Sequence, residues 1–245
     1  MPESGWTEEF VESKRVFRPE VKPEGAVVVF SARGVAPADE ASPTSYLAGK
    51  LAAALGLGHL PIVRATQVHG TQAHTVRAAS RPGTVRDAGE CDVLVTDLLG
   101  IALVVQTADC VPIVLSAPGG VGVAHAGWRG SAKNVAGAAV AALTNLGSFP
   151  FDVCAWLGPS IRSCCYEVGG EVAAQFAGEF ARASCGGKFH LDLASVNAAQ
   201  LEAAGVPKTS ISIHPACTKC GGEKFASFRR DGEAAGRMIT LAARL

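Results

Sequence analysis

Ile101-Ala-Leu-Val-Val-Gln-Thr-Ala-Asp-Cys-Val-Pro-Ile-Val-Leu115 is the longest apolar stretch of this 245-residue chain, and Gln106, Thr107, Asp109 and Pro112 interrupt it. A bilayer span needs about 20 predominantly apolar residues. The stretch therefore reads as two buried strands, 101–105 and 111–115, separated by a polar corner. Outward from it, residues 62–68, 73–79 and 92–96 upstream and 121–124 downstream are further short strands set off by glycine or proline. Residues 26–30 give an earlier strand, and 153–157 and 210–214 later ones. Helices fall between them. Ser42 as cap, Pro43 in the first turn and Leu47, Leu51, Ala54 and Leu55 on one face predict one that stops at Gly56. Val135, Ala138, Ala139, Ala142, Leu143 and Leu146 give a helix over 131–146 the same periodicity, and 171–182 and 195–204 are predicted helices too. Residues 238–245 fit either state. Strands and helices without strict alternation point to a single α/β (α+β) layered sandwich, mixed β-sheets flanked by helices, over 1–245, with 1–25 a loosely attached segment.

Composition narrows the function. The 22 basic residues cancel the 22 acidic ones and only 6% of residues are aromatic, so neither the charge nor the stacking surface of a nucleic-acid binder is visible. No partner membrane is indicated. The acidic start MPESGWTEEF has no apolar signal core, so a cytoplasmic protein with mostly reduced cysteines is expected.

Reactive residues concentrate at strand ends. Gln67-Val68-His69-Gly70, Thr107-Ala108-Asp109-Cys110 and Val121-Gly-Val-Ala-His125-Ala-Gly-Trp-Arg129-Gly130 each carry them. Val121, Val123 and His125 share a strand face, and the small residues opposite let backbone approach. His69, Cys110 and His125 together would make a three-ligand zinc site with its fourth position open, the catalytic pattern. Their spacing matches no short ligand motif, and each also reads as a hydrogen-bonded core residue.

The ordered blocks TQVHG, DVLVTD, TADCVPI, VGVAHAGWRG, GPSIRSCCYEVG and CT…FASFRRDG…GRM resemble the YfiH-type family, whose older label is polyphenol oxidase or laccase-domain protein. The likeness runs from about Ala26 to the C-terminus. It implies an α/β sandwich and a zinc-dependent purine nucleoside phosphorylase, acting on purine nucleosides and phosphate, that also deaminates adenosine and cleaves methylthioadenosine. It implies His69, Cys110 and His125 as the metal ligands. One departure is the first loop, where only Arg33 and Gly34 match the family's usual Arg-Gly-Gly-Ser type.

Other residues have two readings each. Arg33 and Arg129 suit phosphate or nucleoside, though Arg129 could instead lock the GWRG turn. Trp128 could stack on a base or be structural. Asp109 or Glu167 could carry the proton for deamination, while Asp109 equally suits backbone amides in a turn. Arg229 and Arg230 bind an anion or anchor the C-terminal segment. Cys164-Cys165 reads as core packing rather than nucleophile. His214-Pro-Ala-Cys217-Thr-Lys-Cys220 suggests half a zinc ribbon whose second half is missing from the sequence. The rival functions are a copper phenol oxidase, against which the six histidines and the absence of H-x-H weigh, and a non-catalytic zinc or nucleoside-binding module.

Overall fold

The computed structural model describes residues 5–21, 25–34, 42–78 and 81–245. Two mixed sheets and a small third one carry the architecture. The first has seven strands in the spatial order Trp6–Val11, Lys14–Pro19, Ala26–Ser31, Met238–Arg244, Ala102–Thr107, Ile62–Thr66 and Val85–Glu90. The second has six, in the order Ile211–Ile213, Cys154–Leu157, Val111–Ala117, Gly120–Ala126, Val93–Thr96 and Ala73–Thr75. The third is built from Glu167–Val168, Phe189–Leu191 and Ala181–Ala183.

Strand alternation sorts the apolar residues into layers. Leu103 and Val105 of the first sheet meet Leu94, Val114, Val121, Val123 and Trp156 of the second in an inner core. Their neighbours Ala102 and Val104 turn the other way, onto Ala48, Leu51 and Ala52 of the helix Pro43–Ala54. On the far face of the second sheet, Val93, Val95, Ile113 and Leu115 pack on Val135, Ala139, Val140 and Leu143 and on Leu193, Val196 and Leu201. The order of layers is helix, sheet, sheet, helices. Both halves of the stretch 101–115 are strands, yet they lie in different sheets, so the corner Ala108-Asp109-Cys110 carries the chain from one to the other.

Several expectations change. Residues 238–244 resolve as a strand in the middle of the first sheet. Residues 6–19, expected to hang loosely, form an antiparallel hairpin on that sheet, with Trp6 and Phe17 buried in the inner core. The helix over 131–146 is two helices, Trp128–Ala132 and Val135–Thr144, because Asn134 takes a left-handed conformation and caps the second by accepting from the Gly137 amide. The helix over 171–182 shrinks to Gly170–Ala173, and Ala181–Ala183 pairs instead with Phe189–Leu191. The expected strand 73–79 is seen as Ala73–Thr75, and residue 79 lies outside the described residues. No described helix is long and apolar enough to cross a membrane.

Candidate active site

At one end of the two sheets the three reactive segments converge. His69 lies just beyond the strand Ile62–Thr66, Cys110 in the corner between the sheets, and His125 near the end of Gly120–Ala126. Their ligating atoms all lie within 4.8 Å of one another, and the two imidazoles cross edge to face at 4.7 Å. Both turns are tight. His69 and Asp109 adopt positive φ of 58° and 91°, backbone that non-glycine residues hold only when surroundings fix it.

The fixing group is Asp92, which is fully buried. One of its oxygens accepts from the His69 amide at 3.0 Å and bonds His125 Nδ1 at 2.8 Å. The other accepts from the Gly70 amide at 2.6 Å and from the Val68 amide at 3.3 Å. One carboxylate thus shapes the turn that carries His69 and sets the tautomer of His125, leaving its Nε2 lone pair for a metal. Gln67 adds a second tie: its amide both donates to and accepts from the Gln106 backbone at 2.8 Å. Gly127 closes the arrangement, because a Cβ there would lie 2.5 Å from His69 Nδ1 and 3.2 Å from Cys110 Sγ.

Without metal, Cys110 and His125 pair as thiolate and imidazolium, and a bound cation would displace the shared proton. Burial opposes ionisation of Cys110, yet the positive charge of His125 and hydrogen bonds from His125 and His69 bring its thiol down to about 6. Burial likewise opposes charge on His125, and Cys110 and Asp92 overcome it to push the imidazole up to about 9. A thiolate and two imidazoles suit zinc, and three protein donors leave a coordination position for water or substrate.

Above the trio opens a pocket of about 470 Å³. Trp128, Tyr166 and Phe228 give it aromatic walls, and Arg129, Arg229 and Arg237 give it three guanidinium groups. None of the three forms an ion pair with a described carboxylate. Arg129 lies over the Trp128 ring at 4.4 Å and Arg229 over Tyr166 at 5.2 Å. Arg229 donates to the Glu167 carbonyl and Arg237 to that of Gly236, both at 2.7 Å. Burial and the neighbouring Cys110 push the Tyr166 phenol up to about 12 against the pull of Arg229, which keeps it a neutral donor. Thr107 Oγ1, also in the lining, is buried with no protein partner.

Arg129, Trp128 and Asp109 of the sequence candidates line this pocket with the trio; Arg33 and Glu167 do not. Arg33 lines a neighbouring cavity, held by the Ala234 carbonyl at 2.9 Å and Asp231 at 3.5 Å. Glu167 alternates with the buried Val168 along a short strand, which sends its carboxylate to solvent and leaves only its carbonyl, on Arg229, in touch with the site. Asp109 ties distant elements to the corner: its oxygens accept from the Thr218 hydroxyl at 2.6 Å and the Arg229 amide at 2.7 Å. The paired arginines divide. Arg230 forks onto Asp231 and three backbone carbonyls as an anchor, while Arg229 faces the pocket. Tyr166, in the GPSIRSCCYEVG block, lines the pocket, whereas Asp92 is a site residue that the sequence reading does not reach; its one signal is an acid at the start of an apolar strand.

Residues 34–244 match the family described as multi-copper polyphenol oxidoreductase laccase. The chain belongs to this family. It is similar to the purine nucleoside phosphorylase of Deinococcus radiodurans, with 41% identity over 207 residues, 82% of this chain and 77% of that protein. It is 43% identical over 158 residues to adenosine deaminase RL5 of an unknown prokaryotic organism, covering 61% of this chain and 60% of the relative. Among solved structures it resembles YlmD from Geobacillus stearothermophilus, 33% identical with a TM-score of 0.80 over 94% of this chain and 96% of that one. The Bacillus licheniformis protein YfiH gives the same TM-score and coverage at 29% identity. The layered sandwich and the YfiH-type resemblance read from the sequence are therefore both shown, and the named relatives make the family one of enzymes.

Proposed function

We propose that the pocket is the site of a zinc-dependent purine nucleoside phosphorylase, converting nucleoside and phosphate to free base and ribose 1-phosphate, with adenosine deamination and methylthioadenosine phosphorolysis at the same site. The observation that carries this reading is a His/Cys/His donor set, locked by Asp92, at the floor of a pocket that also holds three guanidinium groups with no ion pair to a described carboxylate. The relatives' names support it.

His69, Cys110 and His125 would hold the zinc. When bound, zinc supplies a Lewis acid and a water of lowered pKa. Arg129, Arg229 and Arg237 bind and orient phosphate through paired N–H donors, which no ion pair among the described residues diverts. In phosphorolysis a phosphate oxygen bonds to C1′ as the glycosidic C–N bond breaks, and its electron pair leaves with the purine. Holding the dianion against C1′ supplies proximity and charge complementarity to the developing cation. The neutral Tyr166 phenol and the unpartnered Thr107 hydroxyl offer hydrogen bonds to the base or sugar, and Trp128 and Phe228 offer apolar surface to the purine. Asp109 keeps Thr218 and Arg229 in position rather than moving the proton.

The copper reading has less support. Histidine and cysteine gather in two groups among the described residues, and only one of these contains histidine, whereas multi-copper oxidation needs several histidine-rich centres. Zinc-reconstituted protein given inosine or adenosine with phosphate should release base and ribose 1-phosphate. Nucleoside binding with zinc in place but no product would reject catalysis in favour of a binding module, and phenol oxidation on copper loading would restore the laccase reading.

A further inference from the structure

A second cluster of metal-ligating side chains lies outside the pocket. The sulfurs of Cys164, Cys165, Cys217 and Cys220 all lie within 4.8 Å of one another. Cys220 Sγ is 3.7 Å from that of Cys164 and 3.1 Å from that of Cys165, and all four cysteines are free thiols. We propose that these four side chains form a closed tetrathiolate zinc site, separate from the His69, Cys110, His125 group, that staples the wall of the pocket.

Geometry is the first support. Zinc–sulfur bonds of about 2.3 Å in a tetrahedron place the sulfurs about 3.8 Å apart, so the cluster needs small adjustments rather than a rearrangement. All four sulfurs converge here, and no disulfide joins any two of them, each being a free thiol.

The second support is how the backbone presents them. In Cys217-Thr-Lys-Cys220-Gly221 the turn closes through Gly221 N–H to the Cys217 carbonyl at 2.8 Å. The Arg162 amide donates to Cys217 Sγ at 3.5 Å, and the Cys220 and Lys219 amides also aim at that sulfur. A Cys-x-x-Cys turn whose amides converge on its first sulfur is a metal knuckle, the amides offsetting thiolate charge. The opposing turn forms as the Cys165 and Tyr166 amides both donate to the Arg162 carbonyl at 2.9 Å. It delivers the adjacent Cys164 and Cys165. The second half of the site is thus a Cys-Cys pair rather than a second Cys-x-x-Cys. The two loops already touch, Thr218 N–H donating to the Ser160 carbonyl at 3.0 Å.

Position gives the site its role. Tyr166 follows Cys165 and lines the pocket, and Thr218 follows Cys217 and bonds Asp109, the neighbour of Cys110. A tetravalent link between the two loops holds both from outside, and four protein donors leave no position for substrate, so the metal is structural. Soft thiolates select zinc over hard cations.

The inference stands apart from the phosphorolysis reading, and so does its test. Elemental analysis of the full chain produced in zinc-supplemented medium should give two zinc per chain, one after Cys220→Ser and one after His125→Ala. Cobalt loaded into His125→Ala should give the intense visible bands of a tetrathiolate centre, and loaded into Cys220→Ser should not. If Cys220→Ser does not fold, thiol titration of the unaltered protein decides: five thiols, the four of the cluster and Cys110 of the first group, should become reactive only after chelation. One zinc per chain with the cluster's thiols reactive from the start would overturn the site. So would a mass deficit of two or four hydrogens without a second metal, which marks one or two disulfides, or iron in place of the second zinc.

Discussion

The two cysteine-containing groups use related donors and differ in everything around them. The trio draws on three strand ends, mixes imidazole with thiolate, and faces a pocket lined by three guanidinium groups. The tetrathiolate group draws on two surface turns and has Cys164 and Cys220 exposed. What separates a reactive centre from a staple is therefore the number of protein donors and the support behind them. Asp92 holds two ligands of the trio through four hydrogen bonds, whereas main-chain amides support Cys217. The first design leaves one position for chemistry; the second fills all four.

The most severe way to break this contrast is His125→Ala. It removes a ligand of the trio and leaves Asp92 buried without its imidazole, so kcat/KM for phosphorolysis should fall by about a thousandfold or more, with the tetrathiolate zinc retained. Steady-state kinetics beside elemental analysis checks it. An equal loss from Cys220→Ser would erase the distinction between the groups. Asp92→Asn is the next largest. It keeps shape but weakens the bond that orients His125, and outer-shell changes of this kind cost about 10–100-fold in metal affinity. Competition with a chromogenic chelator reads that shift, and the staple's affinity should not move. Arg229→Ala then tests the pocket alone. Losing a charge-assisted pair to phosphate costs about 1.5–3 kcal/mol, so KM for phosphate should rise by roughly 10–100-fold with both metals in place. An unchanged KM would assign the phosphate to Arg129 and Arg237.

How far these sites could be read from the sequence follows from what each residue's neighbours reveal. His69, Cys110 and His125 stand out because each interrupts an apolar strand end, and alternation already puts His125 on the face of Val121 and Val123. Asp92 interrupts nothing; at the head of Val93–Thr96 it looks like an ordinary strand boundary, and only tertiary folding brings the 67–70 turn over it. The tetrathiolate fails to show for another reason. Adjacent cysteines resemble core packing, and a search for a second Cys-x-x-Cys passes over Cys164-Cys165. Glu167 misleads because its strand has two residues, too few to reveal alternation. The helix expected over 171–182 fails where local propensity yields to pairing of Ala181–Ala183 with Phe189–Leu191. Arg33 misleads because its guanidinium is taken by the Ala234 carbonyl and Asp231, partners far along the chain that only tertiary folding brings to it.

His214 offers the mildest test, and it sharpens the boundary of the staple. Three residues before Cys217, it looks like a ligand in sequence. In the structure its ring packs edge to face on Trp6 at 4.9 Å and Phe17 at 5.0 Å, and its Nδ1 accepts from the Ala216 amide at 3.2 Å. Burial first, then the positive charges of Lys224 and Arg162, hold it down to about 4 from 6.5, with Glu8 acting the other way. A base depressed in the folded state binds its proton more readily in the unfolded chain. Its contribution to stability is therefore whole above pH about 6.5 and drains toward about 4, at about 1.4 kcal/mol for each unit. Unfolding midpoints at pH 7.5 and 4.5 should thus separate strongly for the unaltered protein and less for His214→Phe, which keeps an aromatic ring against Trp6 and removes the titration. The same variant should retain two zinc per chain; losing one would make His214 a ligand and the cysteine cluster something other than a tetrathiolate.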